Sequence, residues 1–185
     1  VLEEAMKEHP ILPVAFGTVC NDADEIRRFL RDSRSAIQEN LNRIVNRIEL
    51  GLKVFWNLEA VLKEIAERDE DVLRLRCDSQ KRHKTASLGE QVEIGKVVEA
   101  ALQRRKEAYL NDIISHLACI ASDHRLNEEL TDEMVLNAAF LVDRSREANF
   151  DNAVGRLGDR HKEHLQFLYS GPWPPYNFVR LAFAY

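Results

Sequence analysis

Hydrophobic residues recur at every second position along residues 48–56, the clearest pattern in the chain. The recurring apolar positions are Ile48, Leu50, Leu52, Val54 and Trp56. A repeat of two places these side chains on one face of an extended backbone, so the pattern predicts a half-buried β-strand. An apolar run at 134–142 and a shorter one at 165–169 predict a buried central strand and one further strand.

Both ends of the chain carry weaker patterns. Residues 1–8 are interpreted as the end of a helix, and the apolar run at 11–19 predicts a strand. Pro13 lies inside this run and has no backbone donor, which favours a sheet edge or a strand start. Residues 178–185 alternate again and predict a final extended strand or tail.

Apolar residues spaced by three and four predict helices at 22–44, 57–75, 88–126 and 147–163. Residues 76–87 are charged and aperiodic, and they predict a solvated loop. The helix at 88–126 would contain about 39 residues and extend about 58 Å, which is longer than a small core. We therefore expect it to project, to bend, or to pair with the 22–44 helix as a coiled-coil arm.

The order of these elements predicts the fold class. From Ile48 onward the chain reads strand, helices, strand, helix, strand, which indicates an α+β fold. The arrangement is similar to ferredoxin-like (split βαβ) sheet elements with a long helical, coiled-coil-like insertion and an extended C-terminal tail.

Composition narrows the class of protein. The net charge of −5 argues against nucleic acid as the main partner, because a phosphate backbone requires a basic surface. No apolar run approaches the roughly 20 residues of a transmembrane helix, so we expect no lipid membrane partner. The three cysteines, Cys20, Cys77 and Cys119, are odd in number and widely spaced. They favour reduced thiols in the cytoplasm. Since the first residue is Val1, we expect the start of the natural protein to be missing.

Residues that could carry catalysis or bind a metal are few. His161 and His164 have a spacing that could hold a metal on a helix, but the sequence places no third ligand near them. A metal-dependent enzyme or module that uses these two histidines is therefore the alternative hypothesis. No combination of nucleophile, base and orienting group is indicated, so we expect no catalytic residues, no cofactor and no metal.

The most unusual segment of the chain is rich in proline and aromatic residues. Its candidate site residues are Gly171, Pro172, Trp173, Pro174, Pro175, Tyr176 and Phe178. Proline fixes φ and restricts the residue before it, so this segment is predicted to be stiff and extended. Two roles remain open, a clamp that packs on the protein itself and a docking site for a partner. Its position before a strand-like tail favours the clamp.

Five sequence blocks, taken in order, are more specific than composition. They are Leu12–Val19, Glu49–Trp56, Gly89–Glu93 leading into Val98–Leu102, Asn137–Val142 and Ser170–Phe178. Together they resemble the gas vesicle protein F/L family (GvpF/GvpL) over almost all of the chain. The resemblance implies that residues 1–19 are the remnant of an N-terminal α+β domain. Residues 20–176 would then be a helix-rich α+β C-terminal domain, and residues 177–185 a tail that packs on the body.

The resemblance also implies a function. Family members are expected to be accessory or minor structural proteins of gas vesicles, the gas-filled protein shells that give cells buoyancy. They are expected to bind the hydrophobic shell protein (GvpA), and possible further partners are other accessory proteins of the vesicle. The chain is then expected to be a chaperone-like, non-enzymatic protein in the cytoplasm, associated with the vesicle. A purely structural component of the finished vesicle remains an alternative.

Overall fold

The structure, a computed structural model, describes residues 4–6, 9–14, 17–81 and 88–179. Its helices are α1 (Ala23–Asp32), α2 (Arg34–Ile44), α3 (Leu58–Arg68), α4 (Glu70–Lys81), α5 (Leu88–Ala118) and α6 (Glu147–His161). Its strands are β1 (Arg47–Trp56), β2 (Asp123–Leu126), β3 (Met134–Asp143) and β4 (Leu165–Trp173). No helix in these described ranges is both long enough and apolar enough to cross a membrane.

The four strands form one antiparallel sheet in the order β2-β3-β1-β4. The strands predicted at 48–56, 134–142 and 165–169 are confirmed, and the last continues to Trp173. The sequence gives little signal for β2, a four-residue edge strand whose side chains are mostly charged or polar. In chain order the sheet elements are β1, three helices, β2, β3, one helix and β4.

The main core lies between one face of the sheet and helices α3, α5 and α6. On the sheet its central pairs are Ile48 with Val142, Leu50 with Phe140, Leu52 with Ala138 and Val54 with Leu136. The helices contribute Val61, Ile65, Tyr109, Ile113, Leu117, Phe150, Val154 and Leu157. The two-residue repeat of β1 therefore places its apolar side chains on the buried face of the sheet, as the sequence predicted.

Two of the predicted helices are interrupted by a polar residue. The 22–44 region forms two helices that meet at Ser33, and the 57–75 region is divided at Asp69. The Asp69 carboxylate accepts hydrogen bonds from the backbone N–H groups of Asp71 and Val72. The first N–H groups of a helix have no acceptor within the helix, and a side-chain oxygen that accepts from them caps the start of a new helix.

The predicted helix at 88–126 is too long at its C-terminal end. Helix α5 contains 31 residues and ends at Ala118. The backbone N–H of Ser122 then donates to the carbonyl of Leu141, and β2 pairs with β3. Sheet pairing therefore ends the helical pattern, although Ile120 and Ala121 still pack against the core.

The coiled-coil pairing predicted for the long helix is not observed. The main neighbours of α5 are α3, α4, α6 and β3 rather than the two helices of the 22–44 region. Among the α5 residues whose burial is described, the first buried one is Ala101, so residues 91–96 extend away from the core as an arm. Of the alternatives predicted for this helix, projection from the core therefore describes α5 better than a coiled coil does.

Three further predictions concern the chain ends and the loop. Residues 11–14 and 17–19 contain no strand, so the strand prediction for 11–19 is wrong over its described part. Residues 76–81 are helical and belong to α4, whereas residues 82–87 lie outside the described residues. The predicted final strand lies almost entirely in 180–185, which is also outside them. The domain division at residue 19 stays a prediction.

Candidate interaction surface

Strand β4 presents a row of exposed side chains on the sheet face that is opposite the helices. The row, here called the β4 surface, consists of Gln166, Leu168, Ser170 and Trp173. Leu168 is 56% exposed and Trp173 is 43% exposed. Ser170 lies between them in the row, opposite Gly51. Large apolar side chains that stay exposed on one face of a strand are typical of an interaction surface.

The backbone of β4 adds a second feature to this surface. Strand β4 has nine residues and pairs with β1 along one side, and it forms an edge of the described sheet. An edge strand carries backbone donors and acceptors that point away from the sheet, where another extended segment can pair with them. A partner could thus pair with the backbone of β4 and contact its exposed apolar side chains at the same place.

Two glycines allow β4 to approach β1 closely. A Cβ atom on Gly51 would lie 2.8 Å from Ser170 Oγ. Gly171 has a φ of +128°, and a Cβ atom there would lie 2.9 Å from the carbonyl oxygen of Glu49. The pairing register of β1 and β4 shifts at this point, between Glu49 and Gly51. Only glycine combines this backbone conformation with such a close approach, so Gly171 fixes the end of β4.

After Trp173 the chain folds back over the second face of the sheet. Residues Pro174–Val179 are here called the C-terminal strap, and both of its prolines are buried. Phe178 is 1% exposed and packs on Ala139 and Leu141 of β3. The guanidinium carbon of Arg125 lies 5.8 Å from the centre of the Phe178 ring. The strap is therefore attached by one aromatic side chain together with two buried prolines.

A buried carboxylate lies beneath the strap. Glu49 is 5% exposed, and it accepts hydrogen bonds from the backbone N–H of Asn177 at 2.8 Å and from Asn177 Nδ2 at 2.6 Å. Burial raises the pKa of Glu49 above its ordinary value of 4.5, and the two hydrogen bonds from Asn177 offset only part of this effect. The strap thus covers a charge that is costly to bury.

Replacing Glu49 by glutamine is expected to change how stability depends on pH. The folded protein binds a proton at Glu49 more tightly than the unfolded chain does, so this group makes the protein more stable as the pH falls from 7 towards 4.5. Urea unfolding of both proteins at pH 7 and pH 5 measures this. The wild type should gain stability relative to Glu49→Gln at the lower pH; a constant or opposite difference would contradict the account.

The structure divides the predicted site residues between two places. Gly171, Pro172 and Trp173 form the end of β4, whereas Pro174, Pro175, Tyr176 and Phe178 belong to the strap. Trp173 and Tyr176 are both about half exposed, whereas Phe178 is buried. Whether these residues form a clamp stays a prediction.

The alternative hypothesis of a metal site requires His161 and His164 to converge, and they do not. Helix α6 ends at His161, so His164 lies in the turn that follows. His161 Nε2 lies 2.8 Å from the Asp112 carboxylate, whereas His164 Nε2 lies 3.5 Å from that of Glu64. No group of three potential ligand residues is found in the described part of the chain.

Asp112 instead joins helix α5 to helix α6. Its carboxylate contacts His161, and it also lies 3.3 Å from Arg160 Nη1 and 3.4 Å from His116 Nδ1. Burial acts to raise the pKa of Asp112, but the His161 hydrogen bond and the Arg160 charge outweigh it and hold the pKa below its ordinary value. This cluster is adequately explained as a helix–helix contact.

Two crystal structures of gas vesicle proteins share the fold of this chain. The chain superposes on a crystal structure of the gas vesicle protein GvpF from Anabaena sp. with a TM-score of 0.84 and 26% identity. The match covers 98% of this chain and 75% of that one. A crystal structure of GvpF from Microcystis aeruginosa gives a TM-score of 0.76 at 23% identity, which supports the fold alone.

Sequence comparison agrees with the structural comparison. The chain is 27% identical to gas vesicle protein F of Nostoc sp., over 98% of this chain and 75% of that protein. It is 29% identical to gas vesicle protein L of a Streptomyces species, over 92% of this chain and 63% of that protein. The family described as "Gas vesicle synthesis protein GvpL/GvpF" matches residues 1–180. The chain therefore belongs to the GvpL/GvpF family, as the sequence blocks indicated.

Proposed function

We propose that this chain is a non-catalytic accessory protein of gas vesicles that binds the shell protein GvpA and supports its assembly in the manner of a chaperone. Family membership over residues 1–180 supports a role in gas vesicle synthesis. The free thiols of Cys20, Cys77 and Cys119 suit a reducing cytoplasm. The order of the sheet elements and the strand order β2-β3-β1-β4 support a ferredoxin-like fold with an inserted helical arm.

The β4 surface is the observation that carries this proposal. A shell subunit with a strongly apolar face aggregates in water unless a partner covers that face. Leu168 and Trp173 offer an apolar contact, and tryptophan is among the residues that most often dominate binding energy at interfaces. The partner that this surface suits is therefore an apolar protein segment rather than a small polar substrate.

The open edge of β4 adds directional recognition to this contact. An extended segment of the shell protein can pair with the backbone of β4, while its alternate side chains meet Leu168 and Trp173. Backbone pairing depends little on sequence, and it satisfies polar groups that an apolar contact leaves unpaired. The two contacts together would hold a shell subunit in solution before it joins the shell.

Co-expression with GvpA tests the proposal. We expect this protein to co-purify with GvpA and to increase the fraction of GvpA that remains soluble. Flotation of assembled vesicles then separates two roles, because a chaperone stays in the cytosolic fraction whereas a structural component floats with the vesicles. Absence of both co-purification and any effect on solubility would contradict the proposal.

A further inference from the structure

We propose that the C-terminal strap regulates the β4 surface, because it covers the apolar half of the same sheet face. In the closed state Phe178 lies over Ala139 and Leu141. In the open state an apolar side chain of the shell protein takes the place of Phe178. This inference rests on the proposed binding of GvpA through the β4 surface.

The strap lies on the same pair of sheet rows as Ser170 and Trp173 of the β4 surface, and Leu168 lies one row further along, beside Lys53. One row consists of Leu141, Glu49 and Trp173, and the next consists of Ala139, Gly51 and Ser170. Neighbouring strands are about 4.8 Å apart, so about 10 Å separates the β3 positions under Phe178 from the β4 side chains. Between them lie Gly51, which has no side chain, and Glu49, whose carboxylate is covered by Asn177 of the strap itself. A partner that covers three strands must therefore displace Phe178.

Opening of the strap leaves the main core intact. Phe178 belongs to a small cluster with Ala139 and Leu141, whereas the main core lies on the opposite face of the sheet. The strap is held by Phe178, by its two buried prolines and by the hydrogen bonds from Asn177 to Glu49, which are far fewer contacts than those of the main core. A segment with few buried contacts opens at a lower free energy than the whole domain. The strap can therefore open while the sheet and the helices remain folded.

Glu49 makes the closed state less favourable than its contacts suggest. The strap buries this carboxylate, and the raised pKa reflects the cost of removing it from water. When the strap leaves, Glu49 recovers its hydration while it loses two hydrogen bonds to Asn177. A partner that binds the open state more tightly than the closed state shifts the population towards the open state.

Hydrogen exchange tests the opening without any partner. The backbone N–H of Asn177 donates to Glu49, so it exchanges only when the strap opens. We expect this amide to exchange much faster than the amides of β1 and β3, at a rate that is insensitive to low concentrations of urea. Protection of Asn177 equal to that of β1 would overturn the proposal.

Capture of co-expressed GvpA by wild type, Phe178→Ala and Asn177→Ala tests the regulation itself. If the strap is open about one tenth of the time, its release raises the apparent affinity by up to about tenfold. Phe178→Ala should approach this gain, and Asn177→Ala should show part of it. Tyr176→Ala is the matched control, because Tyr176 lies in the strap but is 46% exposed, and it should leave capture unchanged.

The outcomes separate the two proposals. If wild type captures GvpA and both strap variants, folded by circular dichroism, capture no more, regulation by the strap is wrong while the proposed function stands. If neither the wild type nor the folded strap variants capture GvpA, the proposed function fails, and the regulation fails with it.

Discussion

Replacing Gly171 by valine is expected to lower the free energy of unfolding by about 3 kcal/mol. A β-branched residue cannot adopt a φ of +128° without strain, and its Cβ atom would also lie 2.9 Å from the carbonyl oxygen of Glu49. The clash involves backbone, so the neighbouring strand must move. The end of β4 and the strap that follows it should both be displaced.

Urea unfolding with Gly155→Ala as the control measures the Gly171 effect. Gly155 lies in the exposed part of α6, where an added Cβ atom has no neighbour within 4 Å. This substitution should stabilise the protein by about 0.5–1 kcal/mol, because alanine favours a helix more than glycine does. Opposite signs for the two glycines are the expected result. An unchanged stability of Gly171→Val would show that the end of β4 is not constrained as described.

Replacing Phe150 by alanine is expected to cost about 3–5 kcal/mol, which is a large part of the stability of a typical domain. Phe150 is fully buried, and its ring centre lies 5.1 Å from that of Phe140 and 6.2 Å from that of Tyr169. This ring therefore joins α6 to β3 and β4. Its removal leaves a cavity that the surrounding backbone closes only in part.

Thermal and urea unfolding of Phe150→Ala and Phe150→Leu check this prediction. Leucine retains most of the apolar volume, so its cost should stay below about 2 kcal/mol. A graded loss from phenylalanine to leucine to alanine indicates that packing is responsible. Equal losses for both variants would instead point to the aromatic contacts with Phe140 and Tyr169.

The parts of the fold that were predicted correctly are those with a strong local pattern. Strand β1 follows from its two-residue repeat, and β3 follows from an apolar run that is buried on both faces. Strand β2 has only four residues, Asp123–Leu126, and it exists because Ser122 and its neighbours pair with β3. The break at Asp69 depends on one side-chain cap, which apolar spacing does not reveal.

The candidate surface was only partly predictable, because it depends on contacts between distant residues. Composition identifies the proline-aromatic segment, whereas the two-residue repeat marks Glu49 only as a position between two apolar residues of β1. Its burial comes from Asn177, which is 128 residues away. Leu168 lies in an apolar run, and only the pairing of β4 with β1 places its side chain on the face opposite the helices.

Two exposed leucines at opposite edges of the sheet distinguish binding of GvpA through β4 from binding elsewhere on the protein. Leu168 on β4 is 56% exposed and Leu126 on β2 is 54% exposed, so aspartate at either position should leave the fold intact. Capture of co-expressed GvpA is measured for both variants. We expect Leu168→Asp to lower capture by about tenfold or more, as for a central interface residue, and Leu126→Asp to leave it unchanged. Equal capture by the two variants, or a loss confined to Leu126→Asp, would contradict binding through β4.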